Sequence, residues 1–116
     1  MKQILIIDDE KDICALMKAF LSKKNFEVHC SDTLNEGLRK MKLLKPEVLF
    51  LDNNLADGAG WAHLHEFYEI SPSTQIFLMS GFQPSLPHLN EKEYKVLTKP
   101  ISFKDLNEVV KTVTPS

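Results

Sequence analysis

Acidic residues follow two apolar segments that have the length of β-strands. Ile4–Ile7 is followed directly by Asp8-Asp9-Glu10, and Val48–Leu51 is followed directly by Asp52. If these segments are neighbouring parallel strands, about 4.8 Å apart, their carboxylates converge at one edge of a sheet. Like charges at that distance raise each other's pKa and destabilise the fold unless a cation neutralises them. Carboxylate oxygens with room for water suit Mg²⁺, so the pattern predicts a divalent cation at this edge.

A hydroxyl group and an ammonium group follow two later strand-like segments. Gln75–Met79 is followed by Ser80, and the short segment 95–97 is followed by Thr98 and Lys99. Both groups can bind phosphate oxygens. Taken singly, each strand-end acid is better explained as a helix cap or a loop residue. Taken jointly, a carboxylate cluster, a nucleophilic carboxylate, a hydroxyl and a lysine predict a phosphoryl-transfer site.

Helix-period segments alternate with these strands along the whole chain. The first carries apolar residues at helical spacing from Ile13 to Leu21, the second begins at the capping box Thr33 to Glu36, and Ser102 caps the last. Strict alternation predicts an α/β fold, a doubly wound five-stranded parallel sheet with helices on both faces. Ligands bind such folds outside the carboxyl ends of the strands, where the acids lie.

Two prolines interrupt the pattern after the fourth strand. Pro84 and Pro87 stand where a fourth helix would begin. Proline removes a backbone donor and clashes within a helix. We therefore expect the fourth helix to be short or distorted, at about residues 86–92.

Length and composition restrict the class of protein. The chain has 116 residues, 43% of them hydrophobic and 26% charged, with a formal net charge of −2. This predicts one folded domain, 1–116, with no positive field for nucleic acid and no segment that spans a membrane. The N-terminus lacks the features of a secretory signal, so we expect a cytoplasmic location. Cys14 and Cys30 are then expected to be reduced thiols.

Five motifs together resemble the receiver domain of two-component response regulators, over essentially the whole chain. They are Ile6-Ile7-Asp8-Asp9-Glu10, Leu49-Phe50-Leu51-Asp52, Leu55-Ala56-Asp57-Gly58-Ala59-Gly60, Phe77-Leu78-Met79-Ser80-Gly81 and Leu97-Thr98-Lys99-Pro100. Each motif is weak alone, and their joint order and spacing carry the resemblance. It implies a (βα)5 flavodoxin-like fold with the strand order 2-1-3-4-5.

The resemblance also implies a reaction. Asp52 would accept a phosphoryl group from a phosphohistidine of a sensor histidine kinase or a histidine phosphotransfer protein. Asp8, Asp9, Asp52 and the backbone carbonyl of Asn54 would hold Mg²⁺ or Mn²⁺. Lys99 and Ser80 would bind the phosphoryl group and switch the conformation. No enzymatic activity is implied beyond self-phosphorylation and autodephosphorylation.

Further roles follow from the same resemblance. Gly81 would leave space for a donor to reach Asp52, while Asn54 and Phe82 occupy positions that tune the rate of dephosphorylation. Pro100 would form a cis peptide bond with Lys99.

Two positions depart from the pattern of the family. Ala56 stands where a proline is usual, which should loosen the loop after the acceptor. Val96 stands where an aromatic switch residue is frequent, and Tyr94 is on the same side of the strand. The usual coupling of serine to an aromatic residue is therefore not expected.

Several alternatives stay open at this point. The chain fits a free-standing regulator, a phosphorelay intermediate or the receiver part of a longer regulator. A degenerate receiver that binds proteins without phosphorylation is also compatible. An aspartyl-phosphate phosphatase would need a second acid where Asn54 stands. A flavin or nucleotide carrier would need Gly, Ser or Thr where Asp8-Asp9-Glu10 stands.

Overall fold

The computed structural model of the chain describes residues 1–81 and 94–113. The strands are β1 (Lys2–Ile7), β2 (Phe26–Ser31), β3 (Val48–Asp52), β4 (Asn54–Leu55), β5 (Gly58–Ala59), β6 (Gln75–Ser80) and β7 (Lys95–Thr98). The α-helices are α1 (Lys11–Ser22), α2 (Leu34–Leu44), α3 (Leu64–Ile70) and α4 (Phe103–Val113), and a 3-10 turn at Gly60–His63 precedes α3. None of these helices combines the length and the apolar character that a membrane crossing requires.

Five of the described strands form one parallel sheet in the order β2-β1-β3-β6-β7. Without the short antiparallel hairpin β4–β5, this is the predicted order 2-1-3-4-5. The order reverses between β1 and β3, which are neighbours with Ile7 opposite Leu51. Asp52 lies opposite Met79 on the other side of β3. The carboxyl ends of β1, β3 and β6 therefore lie side by side at one edge of the sheet.

The sheet separates two apolar cores. On one face, α1 and α4 pack against residues that include Ile6 and Phe50. On the other face, α2 and α3 pack against residues that include Leu49 and Leu51. Successive side chains of a strand point to opposite faces, so β3 contributes to both cores. Both faces of β3 are buried, and this is why its sequence is a continuous apolar segment. The predicted doubly wound α/β fold is confirmed.

Two predicted helix caps are present. The Thr33 hydroxyl oxygen accepts a hydrogen bond from the backbone N–H of Glu36 at 3.2 Å. At the start of α4, the Ser102 hydroxyl accepts from the N–H of Asp105 at 3.1 Å, and the Asp105 carboxylate accepts from the N–H of Ser102 at 3.2 Å. Such side-chain caps satisfy N–H groups that have no partner within the helix. They fix where each helix begins after its strand.

The third helical segment differs from the sequence pattern in its first turn. Trp61 lies in the 3-10 turn, and the α-helix begins only at Leu64. The backbone N–H groups of Gly60 and Trp61 are bonded to Asn53, directly after β3, at 3.0 and 3.1 Å. The end of β3 therefore sets the conformation of this turn. The predicted fourth helix, at about 86–92 with Pro84 and Pro87 before and within it, lies outside the described residues.

The expectation of two reduced cysteines is wrong for this structure. Cys14 on α1 and Cys30 on β2 are joined by a disulfide, and their Cα atoms are 6.3 Å apart. This separation lies within the usual range for a disulfide. The two cysteines are 16 residues apart in sequence, so only the packing of α1 on β2 brings them together.

Candidate functional site

Asp52 occupies the centre of the site. It is the last residue of β3, which lies between β1 and β6, and only 3% of the residue is exposed. A carboxylate in this position has apolar strands around its backbone and the open edge of the sheet in front of it. Asp52 therefore lies where ligands bind folds of this class, outside the carboxyl ends of the strands.

Lys99 joins the ends of three chain segments. Its ammonium nitrogen Nζ lies 2.8 Å from Asp8 Oδ2, 3.3 Å from Asp52 Oδ1 and 3.4 Å from Glu10 Oε1. Its backbone N–H donates to the carbonyl of Ser80 at 2.7 Å. Lys99 thus compensates two buried carboxylates and one exposed carboxylate at the same edge.

The acids after β1 form a compact cluster. Asp8, Asp9 and Glu10 each offer a carboxylate oxygen, and these oxygens lie within 4.8 Å of one another. Asp8 is buried, while Asp9 and Glu10 are exposed. The backbone N–H of Glu10 donates to Asp8 Oδ1 at 2.8 Å, which orients the Asp8 carboxylate. Hard oxygen ligands with open solvent on one side fit the coordination of Mg²⁺ or Mn²⁺.

The charges of the site shift two pKa values. Burial raises the pKa of Asp52 to about 6, and the negative charges of Asp8 and Asp9 act in the same direction, while Lys99 opposes them. Burial alone would lower the pKa of Lys99, but its hydrogen bond to Asp8 and the charge of Asp52 raise it above the ordinary value. Lys99 therefore stays charged, and at pH 7 about nine-tenths of Asp52 is ionised.

A glycine lets the loop after Asp52 fold back on β3. A Cβ atom at Gly60 would overlap the carbonyl oxygen of Asp52 and would also press on Leu51. The indole N–H of Trp61 donates to the carbonyl of Leu51 at 3.1 Å. These contacts fix the backbone on both sides of Asp52 against the loop that returns to it.

Asn54 begins the hairpin β4–β5, two residues after Asp52. It lies opposite Ala59 in the hairpin, and its side chain is exposed. Ala56 lies in the turn of the hairpin, so the loop has regular backbone pairing without the proline that is usual there. Metal coordination by the Asn54 carbonyl and the effect of Ala56 on mobility stay predictions.

Ser80 and Gly81 lie where β6 ends. Ser80 is buried, opposite Thr98 of β7, and Gly81 is exposed. A Cβ atom at Gly81 would meet no heavy atom of residues 1–81 and 94–113 within 4 Å, so these residues leave space beside it. Phe82, the predicted rate-tuning position, lies outside the described residues.

Comparison with known proteins agrees with this arrangement. Residues 4–111 match the family model described as the response regulator receiver domain. The chain belongs to this family. The receiver domain is 23% identical, over 111 residues, to the regulatory protein AtoC of Escherichia coli; the match covers 93% of this chain and 24% of AtoC. The chain spans about a quarter to a third of the length of the curated relatives it matches.

Two solved structures extend the comparison to the fold. A two-component response regulator from Clostridium difficile superposes with a TM-score of 0.88 and 28% identity, covering 97% of this receiver and 95% of that chain. The response regulator TrrA of Thermotoga maritima, solved in complex with Mg²⁺ and BeF, superposes with a TM-score of 0.85 and 24% identity over 98% and 100% of the two chains. The receiver fold is thus common to all three proteins.

The last strand of the receiver and the peptide bond after it include two further predicted features. The peptide bond between Lys99 and Pro100 is cis, the isomer that the resemblance implies. Val96 and Tyr94 both pack against the core formed with α2 and α3, so they lie on the same side of β7.

Two acidic residues have contacts that the motifs do not assign. Glu10 contributes an oxygen to the acidic cluster and approaches Lys99. Asp57, in the turn of the hairpin, accepts hydrogen bonds from the N–H groups of Leu34 and Asn35 at 2.6 and 3.0 Å. These bonds lower the pKa of Asp57 and join the acceptor loop to the start of α2. The proximity of Asp57 to α2 has no signal in the sequence, since 22 or more residues separate the partners.

Proposed function

We propose that this receiver accepts a phosphoryl group on Asp52 from a phosphohistidine donor. The observation that carries the proposal is the position of Asp52, buried at the end of β3 and facing Lys99 at 3.3 Å beside the acidic cluster. Phosphoryl transfer needs a positioned nucleophile and positive charge around the transferred oxygens. Both are present at this edge.

The chemistry assigned to Asp52 is nucleophilic attack by a carboxylate oxygen on phosphorus. A P–O bond forms to Asp52, the P–N bond to the donor imidazole breaks, and the imidazole leaves with the bonding pair and takes up a proton. Asp52 must be ionised to attack, and its raised pKa of about 6 still leaves most of it ionised at pH 7. Removal from water increases the free energy of this carboxylate before the reaction.

Lys99 and Ser80 are the residues we assign to the phosphoryl group. Lys99 already faces Asp52, and its ammonium can exchange the contact with the carboxylate for contacts with phosphoryl oxygens. Ser80 ends the neighbouring strand and carries a hydroxyl that can donate to the same group. Redistribution of these contacts would change the conformation of the loops that carry the two residues.

The acidic cluster is the proposed site for Mg²⁺ or Mn²⁺. Asp8, Asp9 and Asp52 would supply carboxylate oxygens, and Asn54 would supply its backbone carbonyl. A bound divalent cation would neutralise charge on the carboxylates and on the phosphoryl oxygens. TrrA, which shares the fold, was solved with Mg²⁺ and BeF.

The proposal includes the setting in which the domain acts. Its donors would be a sensor histidine kinase or a histidine phosphotransfer protein, in the cytoplasm, and the domain would act on no separate substrate. It would serve as a free-standing regulator, as a phosphorelay intermediate or as the receiver part, over 1–116, of a longer protein.

Intact mass spectrometry tests the reaction. We expect incubation with acetyl phosphate and Mg²⁺ to add one phosphoryl group to the parent protein. Asp52→Asn should show no adduct, and a chelator should prevent it in the parent. Asp12→Asn is the matched control, because it changes an exposed aspartate on α1 in the same chemical way and should still be phosphorylated.

A negative result would favour the alternative function. If the parent gives no adduct with acetyl phosphate, and beryllofluoride with Mg²⁺ leaves the emission of Trp61 unchanged, phosphoryl acceptance at Asp52 is wrong. The domain would then be better described as a receiver that binds its partner without phosphorylation.

A further inference from the structure

The two cysteines connect the helix and the strand that border the acidic cluster. Cys14 lies in the first turn of α1, where its N–H bonds to the carbonyl of Glu10 at 3.3 Å. Cys30 is the second-last residue of β2 and lies opposite Ile6 of β1. Their Cα atoms are 6.3 Å apart, so the bond between them fits the backbone as it stands.

Both cysteines line a surface groove from which small molecules can reach them. The groove has a volume of about 430 Å³ and is also lined by Asp8, Lys11 and Lys40. Cys30 is partly exposed, whereas Cys14 is 8% exposed. Lys40 donates from Nζ to the backbone carbonyl oxygen of Cys30 at 2.6 Å, and both residues line the same groove. A neighbouring cation stabilises the thiolate that carries out thiol–disulfide exchange.

We propose that Cys14 and Cys30 form a reversible redox site, which a small disulfide such as oxidised glutathione closes by joining α1 to β2 beside the acidic cluster. The more exposed Cys30 thiolate attacks one sulfur of the oxidant, forms a mixed disulfide and releases one glutathione. The Cys14 thiolate then attacks the sulfur of Cys30, forms the bond seen in the structure and releases the second glutathione. The two protein thiols lose two electrons and two protons, and the oxidant becomes two thiols.

The bond restrains the segment that carries the acidic cluster. Cys14 follows Asp8-Asp9-Glu10 by four residues, and Ser31, next to Cys30, accepts a hydrogen bond from the N–H of Asp8 at 3.0 Å. The disulfide therefore joins Cys14, at the C-terminal end of this segment, to β2. The same strand already holds the N-terminal end of the segment through the bond from Asp8 to Ser31. When the disulfide orders the backbone of about one residue in advance, cation binding no longer bears the entropy cost of ordering that residue. We expect a roughly fivefold gain in affinity for the cation from this effect. This consequence rests on the proposed metal site, whereas formation of the bond does not.

Formation of the bond is tested by mass spectrometry in glutathione buffers of increasing oxidised fraction. The full chain is equilibrated, alkylated and weighed intact. We expect both thiols to be alkylated in reducing buffer, and a species lighter by about 2 Da without alkylation in oxidising buffer. Cys14→Ala should instead hold one glutathione on Cys30, because the resolving thiol is absent. Alkylation of both cysteines at every ratio, or a bond that excess dithiothreitol leaves intact in the native protein, would overturn the redox site.

Coupling to the acidic cluster is tested by titrating Mg²⁺ into the oxidised and reduced forms while the emission of Trp61 is recorded. The oxidised form should bind Mg²⁺ about fivefold more tightly, and Cys14→Ala should show the same affinity in both buffers. Equal affinities of the two forms of the parent would overturn the coupling. If neither form binds Mg²⁺, the proposed metal site fails with the coupling, and the mass measurement still decides whether the redox site exists.

Discussion

At the scale of single residues, the burial and charges of Asp52 and Lys99 explain why the site is unfavourable for folding. Asp52 is removed from water and faces the negative charge of Asp8, so its ionised form is destabilised in the folded protein. Lys99 lowers that cost because it contacts both carboxylates. The native site therefore holds two buried carboxylates that one lysine compensates.

The pH dependence of stability should reveal the cost of ionised Asp52. Its folded pKa of about 6 lies above the ordinary value of 3.8, so the folded state holds this proton more tightly than the unfolded state. The resulting stabilisation is complete below pH 3.8 and is lost as the pH rises through 6. In chelator at pH 7.5, Asp52→Asn should be more stable than the parent by about 1–2 kcal/mol, a value reduced for solvent screening.

Urea unfolding at several pH values measures this difference. The advantage of Asp52→Asn should shrink between pH 7 and pH 4, because the parent then carries a neutral Asp52 as well. An advantage that does not change with pH would show that ionisation of Asp52 is not its cause.

Removal of the Lys99 ammonium should destabilise the fold in the absence of a divalent cation. Lys99→Met leaves Asp8 and Asp52 without their shared positive partner, and we expect a loss of about 1–3 kcal/mol in chelator, measured by urea unfolding. Mg²⁺ should restore more stability to this variant than to the parent, because it then replaces the positive charge of Lys99 beside these two carboxylates.

Lys111→Met is the matched control for this substitution. Lys111 is exposed and lies 3.8 Å from Glu108 on the same helix, so its loss should change stability little. A similar effect of both substitutions would mean that general surface charge, rather than the contacts of Lys99, determines the result.

At the scale of elements, the hairpin β4–β5 and the following turn hold the acceptor in place. Gly60 lies against the Asp52 carbonyl, Trp61 bonds to Leu51, and Asp57 bonds to the first residues of α2. The loop that carries Asn54 is thus attached to β3 and α2 at the same time. Its position follows from these attachments, and no proline at residue 56 is needed to form the hairpin.

A methyl group at Gly60 should destabilise the fold, whereas one at Gly81 should not. The Cβ of Gly60→Ala would overlap backbone of Asp52 that belongs to the central strand, and we expect a loss of about 1–3 kcal/mol together with slower phosphorylation. Gly81→Ala enters open space and should change stability by less than about 0.5 kcal/mol.

Chemical denaturation and the rate of phosphorylation by acetyl phosphate measure these two effects separately. If Gly81 leaves space for the donor, Gly81→Ala should slow phosphorylation without a loss of stability. Equal stability of Gly60→Ala and the parent would contradict the close approach between the loop and β3.

At the scale of the whole molecule, β3 couples the two faces of the sheet. Phe50 is fully buried in the core with α1 and α4, while its neighbours Leu49 and Leu51 are fully buried in the core with α2 and α3. Phe50 also stacks on Phe77 of β6, with ring centroids 5.5 Å apart. A loss of packing on one face of β3 should therefore destabilise the core on the other face as well, because both faces share the backbone of this strand.

Truncation of Phe50 should weaken both cores. We expect Phe50→Ala to lower the free energy of unfolding by about 3–5 kcal/mol, as for other large side chains removed from a close-packed interior. Amide hydrogen exchange should speed up in α2 and α3 as well as in α1 and α4. Phe103→Ala is the control, since Phe103 is 52% exposed and stacks on the partly buried Phe20.

Exchange that speeds up only in α1 and α4 would show that the two cores unfold independently. In that case β3 would remain paired with β1 and β6 after one face is lost.

The sequence by itself determined the order of elements and the residues at the strand ends. Continuous apolar segments predicted strands buried on both faces, and the polar residues Asp8, Asp52 and Ser80 were identified because each directly follows such a segment. Lys99 was identified because it follows the short last strand. Helix caps at Thr33 and Ser102 were also readable, because a cap depends on residues only three positions apart. Each of these signals depends on residues that are close together in the chain, so it can be recognised from the sequence alone.

Only the tertiary structure decided which distant groups touch. The sharing of Lys99 between Asp8 and Asp52, the bonds of Asp57 to α2 and the Cys14–Cys30 disulfide join residues that no pattern of spacing relates. The expectation of reduced cysteines failed for this reason, since it used spacing and predicted location but not the packing of α1 on β2. Contacts of this kind depend on how the helices pack against the twisted sheet. That packing depends on all the side chains of the interface together.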